Sequence, residues 1–275
     1  LFLGLITAAG TTVLGTFIAL MAERGSQRVA KPLNVLALLP IITPPFVIGL
    51  AIILLFGLSG NVTQFIATQF GVEPTRWVYG FTGVLIAQLL SFTPIAFLVL
   101  IGVVEAISPS LEEAAQTLRA SRWETFKTVT WPLMRPGLAN AFLLGFIESM
   151  ADFGNPLVLG GNFNVLSTEV FFSVVGSQND QGRAAVLAII LLLYTIGAFY
   201  LQQRWLGRRS YTSVSGKGDG GMHPPLPRRI AWPITVVTAV WGLFTIVVYL
   251  MIVYGSFVQL WGLDNTLTVK HYVQA

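Results

Sequence analysis

Residues 106–136 read Ala106-Ile-Ser-Pro-Ser-Leu-Glu-Glu-Ala-Ala-Gln-Thr-Leu-Arg-Ala-Ser-Arg-Trp-Glu-Thr-Phe-Lys-Thr-Val-Thr-Trp-Pro-Leu-Met-Arg-Pro136. Two helix starts can be read in this stretch. Ser110 and Glu113 stand at the spacing of a capping box, with Ser108 and Pro109 as a competing start, and Ser121 and Glu124 form a second box. The first helix carries Leu111, Ala114, Ala115 and Leu118 on one face, the spacing of an amphipathic helix. The second brings Trp123 and Phe126 together and is expected to end before Pro132, because the residue preceding a proline avoids helical backbone. The stretch therefore reads as two short amphipathic helices with a corner near Ala120. Two alanines on an apolar face let another surface approach closely. That surface is either the membrane and the chain's own helices, or a soluble partner.

On both sides of this stretch the chain is apolar. Of its 275 residues 54% are hydrophobic and 10% charged, whereas a soluble domain averages about 25% charged. So few charges cannot cover a water-exposed surface, which removes the soluble globular and disordered classes. With no cysteine, a disulfide framework, zinc ribbon, Fe–S cluster or thiol nucleophile is excluded. The two histidines, His223 and His271, have no partner at metal-ligand spacing. Gly216-Lys217-Gly218 suggests a phosphate loop, but Tyr211 stands where such a loop needs glycine and no strand precedes it. No nucleotide, cofactor or metal site is read in this chain. The remaining class is an all-α polytopic membrane helical bundle.

Six stretches have the roughly 20 apolar residues needed to cross a bilayer: 1–22, 33–58, 81–105, 137–159, 185–205 and 232–258. The loops 23–32, 106–136 and 206–231, with Arg204 at the edge of the last, hold thirteen of the 16 basic residues. The positive-inside rule places these loops in the cytoplasm and both chain ends outside. The net charge of +4 thus marks topology; membrane lipid is the expected partner and nucleic acid is not. Span 33–58 is expected to break at Pro44, with Thr43 capping the restart, and span 81–105 at Pro94. Residues 206–231 form a Gly/Ser/Pro linker, a boundary between two membrane units. The opening on Leu1 and the stop at Ala275 suggest a segment of a longer polypeptide.

Span 137–159 carries Glu148 and Asp152, four residues apart and on a shared face. A carboxylate inside a bilayer is costly unless it is watered, paired or protonated, and no basic residue lies inside any span to pair with it. Both acids are therefore candidates for lining a translocation pathway, against the alternative of a structural hydrogen bond to Ser149, Asn140 or a broken backbone. Glu169 and Asp180 fall in an outer loop.

Glu113-Ala114-Ala115, then position 119, then Val129, Trp131 and Pro132 resembles the EAA loop of binding-protein-dependent ABC importer permeases. Arg119 replaces that family's glycine, Val129 its isoleucine and Trp131 its leucine. The resemblance implies a type I importer transmembrane domain. Glu113, Ala114, Ala115, Leu118, Arg119 and Ala120 would then contact a cytoplasmic ABC ATPase dimer, which carries ATP and Mg, while Trp123, Phe126 and Pro132 set the second helix. The run from Glu148 to Phe172 resembles the ferric-iron branch, in which a periplasmic solute-binding protein delivers iron and two permease cores are often fused. Thiamine, phosphonate and polyamine branches are related. On this resemblance 1–205 is a first core including loop 106–136, 206–231 a cytoplasmic linker, and 232–275 the first helix and outer loop of a second core. The chain would be a permease and not an enzyme. From the residues alone two other readings stand: a secondary transporter using Glu148 and Asp152 as ion sites, and a membrane-embedded enzyme, which lacks a nucleophile–base pair.

Overall fold

The computed structural model describes residues 1–176, 179–206, 223–261 and 264–274. Its helices are α1 (Phe2–Arg24), α2 (Gln27–Ile42), α3 (Pro45–Phe56), α4 (Asn61–Phe70), α5 (Phe81–Glu105), α6 (Pro109–Thr117), α7 (Arg122–Thr125), α8 (Trp131–Ala151), α9 (Gly154–Leu159), α10 (Leu166–Val175), α11 (Gln181–Leu206), α12 (Arg228–Ser256) and α13 (Lys270–Gln274). A π-helical turn at Phe126–Thr130 joins α7 to α8, and an antiparallel hairpin of β1 (Val258–Leu260) and β2 (Asp264–Leu267) follows α12. Among the described residues five segments are long and apolar enough to cross a membrane: α1, α3 with α4, α5, α11 and α12. Of the expected linker, residues 207–222, including Gly216-Lys217-Gly218, lie outside the described residues.

The centre of the bundle is α1 between α5 and α8. Helices α1 and α5 run parallel: Phe2 stacks on Phe81 at 5.7 Å, and Thr7 meets Gln88 further along. Helix α8 runs antiparallel to both, with Gly145 beside Ala8 and Thr11, and Gly137 beside Val103. Close approach depends on small residues. A Cβ added at Gly15 would stand 2.8 Å from Ala96 Cβ and 2.8 Å from the Phe97 nitrogen, so the α1–α5 crossing admits hydrogen there and nothing larger. Three of the buried threonines of α1 are satisfied within the helix: Thr11, Thr12 and Thr16 each donate to a carbonyl one turn back. Helix α12 packs across α1, α2 and α3, and α11 lies against α8 and α10.

Several expectations are corrected. Stretch 137–159 is two helices, because the chain leaves helical geometry at Asp152 (φ −67°, ψ 116°), where the carboxylate accepts the Asn155 N–H and caps α9. Stretch 33–58 breaks at Thr43–Pro44 as the proline requires, but Thr43 does not cap the restart. Pro44 takes that position, and the Thr43 hydroxyl hydrogen-bonds Tyr249 of α12 at 2.7 Å. Pro94 does not break α5, which continues through it to Glu105. The helix is held on either side by α1 and α8, and Thr93 donates to Leu89 O beside the defect.

In loop 106–136 the competing start prevails: α6 begins at Pro109 with Ser108 as N-cap, because proline at the first helical position is preset for the turn and lacks a donor that would go unpaired. Helix α6 ends in a Schellman turn, with Arg119 N–H on Gln116 O (2.8 Å) and Ala120 N–H on Ala115 O (3.1 Å). Arg119 occupies the left-handed position at φ +66°. The second capping box forms as expected: Ser121 N–H donates to the Glu124 carboxylate (2.7 Å) and Glu124 N–H to Ser121 Oγ (3.3 Å). The Ser121 N–H, and after it the Ser121 hydroxyl, hold the Glu124 carboxyl below the usual carboxylate range. Pro132 does not end the helix. Trp131 N–H reaches back to Phe126 O, the longer π register, and the chain runs on into α8.

Two consequences can be measured. Gly15→Val should cost about 1–3 kcal/mol through overpacking against α5, seen as a lower melting temperature in detergent; an unchanged melt would contradict the crossing. Arg119→Gly should relieve about 1 kcal/mol of left-handed strain and slow amide exchange at Ala120 about fivefold. Faster exchange would contradict the turn.

Candidate functional site

Helix α6 is turned inside out. Its apolar residues face away from the bundle: Leu111 is 50% and Leu118 84% exposed. Glu113, Ala114 and Arg119 are exposed as well, while Ala115 and Ala120 are half-buried. Trp123 and Phe126 stack with ring centroids 6.2 Å apart at 17°. Pro132 is half-buried at the foot of α8. Glu113, Ala114, Leu118, Arg119 and Trp123 thus form an outward-facing ledge, with Ala115 and Ala120 half-buried along it, while Phe126 turns in against the apolar cluster at this end of the bundle.

What fixes this orientation is the residue next to Glu113. Glu112 is fully buried, its carboxylate 2.8 Å from the guanidinium of Arg24 at the end of α1. The hydroxyl of Thr130 donates to the same carboxylate. A ring nitrogen of His223 lies 3.3 Å from its second oxygen, and the other ring nitrogen lies 3.8 Å from Glu23. Leu20, Val104, Ile107, Met134, Leu226 and Ile234 pack together as the apolar cluster at this end of the bundle. Removing one partner from such a buried pair typically costs about 3–5 kcal/mol, since it leaves a charge uncompensated. These contacts also bring the end of α1, loop 106–136 and the start of α12 to one end of the bundle. Arg24, Glu112 and His223 are far apart in sequence, and sequence reasoning missed them. The one available signal was indirect: if the apolar face of α6 points outward, a residue off that face must point in.

The second pair of acids separates. Glu148 is half-buried within α8. Asp152, 8% exposed, lies just past the end of α8 and turns into the bundle. Its carboxylate accepts from Gln88 Nε2 (3.0 Å) and Asn155 Nδ2 (2.9 Å), and its carbonyl from Ser167 Oγ (2.6 Å). The Gln88 carbonyl in turn accepts from Thr7 (2.9 Å) and Ser149 (2.6 Å). One network therefore joins α1, α5, α8, α9 and α10, and amide groups supply the pairing that the absence of nearby cations seemed to deny Asp152. Gln88 is its hub and carried no signal in the sequence. Asn140 is engaged elsewhere, with Gln202 of α11. In the outer segment, Glu169 pairs with Arg183 at 2.7 Å, and Asp180 accepts the Arg183 N–H.

Residues 12–210 match the family described as "Binding-protein-dependent transport system inner membrane component". The "Ferric transport system permease protein FbpB" of Actinobacillus pleuropneumoniae is 46% identical over 272 residues, 99% of this chain and 40% of its own length. The "Putative ferric transport system permease protein FbpB 1" of Haemophilus influenzae is 45% identical over 99% of this chain and 43% of its own. The chain thus spans about two fifths of the length of these relatives. The "Molybdenum transport system permease protein ModB" of Azotobacter vinelandii is 30% identical over 73% of this chain and 89% of its own. Among solved structures, an amino acid ABC transporter matches with a TM-score of 0.52 at 18% identity, covering 75% of this chain and 88% of that one, a likeness of fold. With a bundle of membrane-length helices and more than half its length matched, the chain belongs to the family of binding-protein-dependent transport system inner membrane components, as a multi-pass membrane protein.

Proposed function

We propose that this chain forms one membrane core of an ATP-driven importer and that its solute is ferric iron. The observation that carries the first part is the outward turn of α6: an apolar ledge of Leu111, Ala114 and Leu118, held by a buried carboxylate, is exposed among the described residues. A soluble partner is the natural cover for such a face. In this reading Glu113, Ala114, Ala115, Leu118, Arg119 and Ala120 enter a cleft of a cytoplasmic ATPase dimer, with Trp123 and Phe126 bracing the second helix and Pro132 leading into α8. ATP and Mg belong to that partner. Support for iron comes from the names of the FbpB relatives, 45–46% identical over nearly the whole chain, against 30% for ModB.

A periplasmic binding protein delivers the solute, and the core alternates between outward- and inward-open states. Glu148, half-buried and without a hydrogen-bonded cage like that of Asp152, is the residue proposed to line the path. Asp152 would act from within its network. Carboxylate oxygens suit a hard cation. Residues 232–275 begin a second core joined through the cytoplasmic linker 206–231, and α12 lies back across the first.

Charge reversal tests the docking role. Glu113→Lys in the full permease should abolish radioactive ferric-iron uptake and the stimulation of ATP hydrolysis by loaded binding protein, with normal amounts of protein in the membrane. Normal uptake by that variant, or competition for uptake by thiamine or molybdate in place of iron, would contradict the corresponding half of the proposal.

A further inference from the structure

Among the described residues, helix α6 packs closely against few other elements. It packs against α7 and the π turn, and among its residues only Pro109 and Glu112 are buried. Glu112 is therefore the side chain that anchors it. The carboxylate is met from three separate parts of the chain. Arg24 is the last residue of α1, Thr130 stands at the foot of α8, and His223 lies four residues before Pro227, the N-cap of α12. Glu23 faces His223 from α1, and Arg122 of α7 lines the crevice beside Arg24 and Glu112 together with Gln116, Pro224 and Pro225.

We propose that Glu112, Arg24, Thr130 and His223 form the joint that carries movement of α6 into α1, α8 and α12. This rests on the docking role of α6. Glu112 bears the force; none of the four meets the solute, so they are positioning residues. The physical ground is stiffness. An exposed ion pair exchanges its partners for water at little cost and slips. A buried one cannot separate without stranding a charge, so α6 and the end of α1 move together. Side chains of 3% and 0% exposure at Arg24 and Glu112 place this pair in the second class. Thr130 extends the grip to α8, the helix that carries Glu148 and leads to Asp152. His223 extends it to α12, so the segment after the linker is tied to the same point as the helix before it. A docking helix held only by its two loop ends could yield to a pushing partner. One that is pinned at Glu112 transmits the push to three long helices at once.

The test uses the full permease reconstituted with its ATPase and an iron-loaded binding protein, with two readouts: capture of the ATPase, and ATP hydrolysed per Fe³⁺ imported. Glu112→Gln and Thr130→Val should retain ATPase capture. The ATP spent per iron should rise on the order of tenfold in the first and severalfold in the second, while Arg24→Lys, which keeps the charge, stays near the parent. Thr130→Val is nearly isosteric and reads the same ratio should Glu112→Gln fail to accumulate. An unchanged ratio in Thr130→Val overturns the joint. So does loss of ATPase capture in that variant, since Glu112 would then only shape the docking face. Failure of the parent to capture any ATPase would instead defeat the docking role itself.

Discussion

Glu112 can be buried only because Arg24 meets it there, and that meeting turns α6 so that Leu111, Ala114 and Leu118 face outward. Most short amphipathic helices do the reverse and bury their apolar side. Here the apolar side is left free while a carboxylate goes in. The electrostatic cost of burying a charge is offset by a cation, a hydroxyl and an imidazole arriving from three other parts of the chain. The outward ledge is thus a consequence of the tertiary structure.

The joint has something rigid to act on. Helices α1, α5 and α8 approach closely at Gly15 and Gly145, which meet backbone atoms of the facing helix, and at Gly137, which meets the Val103 side chain, and this leaves little freedom to repack. At the far end the same three helices are tied again, through Thr7, Gln88 and Ser149, to Asp152 and so to α9 and α10. The side chains of this network are hydrogen-bonded to one another, with Asn155 Oδ1 left without a partner, and such a buried network resists deformation. The bundle is therefore gripped at two levels, by an ion pair at the end near α6 and by an amide-centred network at the other.

Local chemistry was legible in the sequence and long-range pairing was not. The Ser121–Glu124 capping box, the Trp123–Phe126 stack and the break before Pro44 each follow from residues within a few positions of one another. The helix ends that depended on tertiary context were misread. Pro94 is carried by neighbours on both sides of α5, Pro132 by a π register, and the restart after Asp152 by a cap formed with Asn155. Arg119 shows the limit from the other direction: a residue that disfavours left-handed backbone holds it, because the two Schellman bonds and the following capping box fix the turn around it. Of the proposed site, the ledge residues stand close together in sequence and carry a local pattern. Arg24, His223 and Gln88 do not, since their roles exist only after folding brings distant segments together.

The chain contains no cysteine, so single cysteines placed in it report without background once any cysteine in the rest of the full permease is replaced. In inverted membrane vesicles stripped of soluble subunits, a membrane-impermeant maleimide should label the full permease carrying Leu118→Cys rapidly and leave Thr125→Cys, buried beside the π turn, unmodified. Adding back the ATPase should then protect position 118. Labelling of position 125 with sparing of 118, or no protection by the ATPase, would contradict the outward-facing ledge on which the account rests.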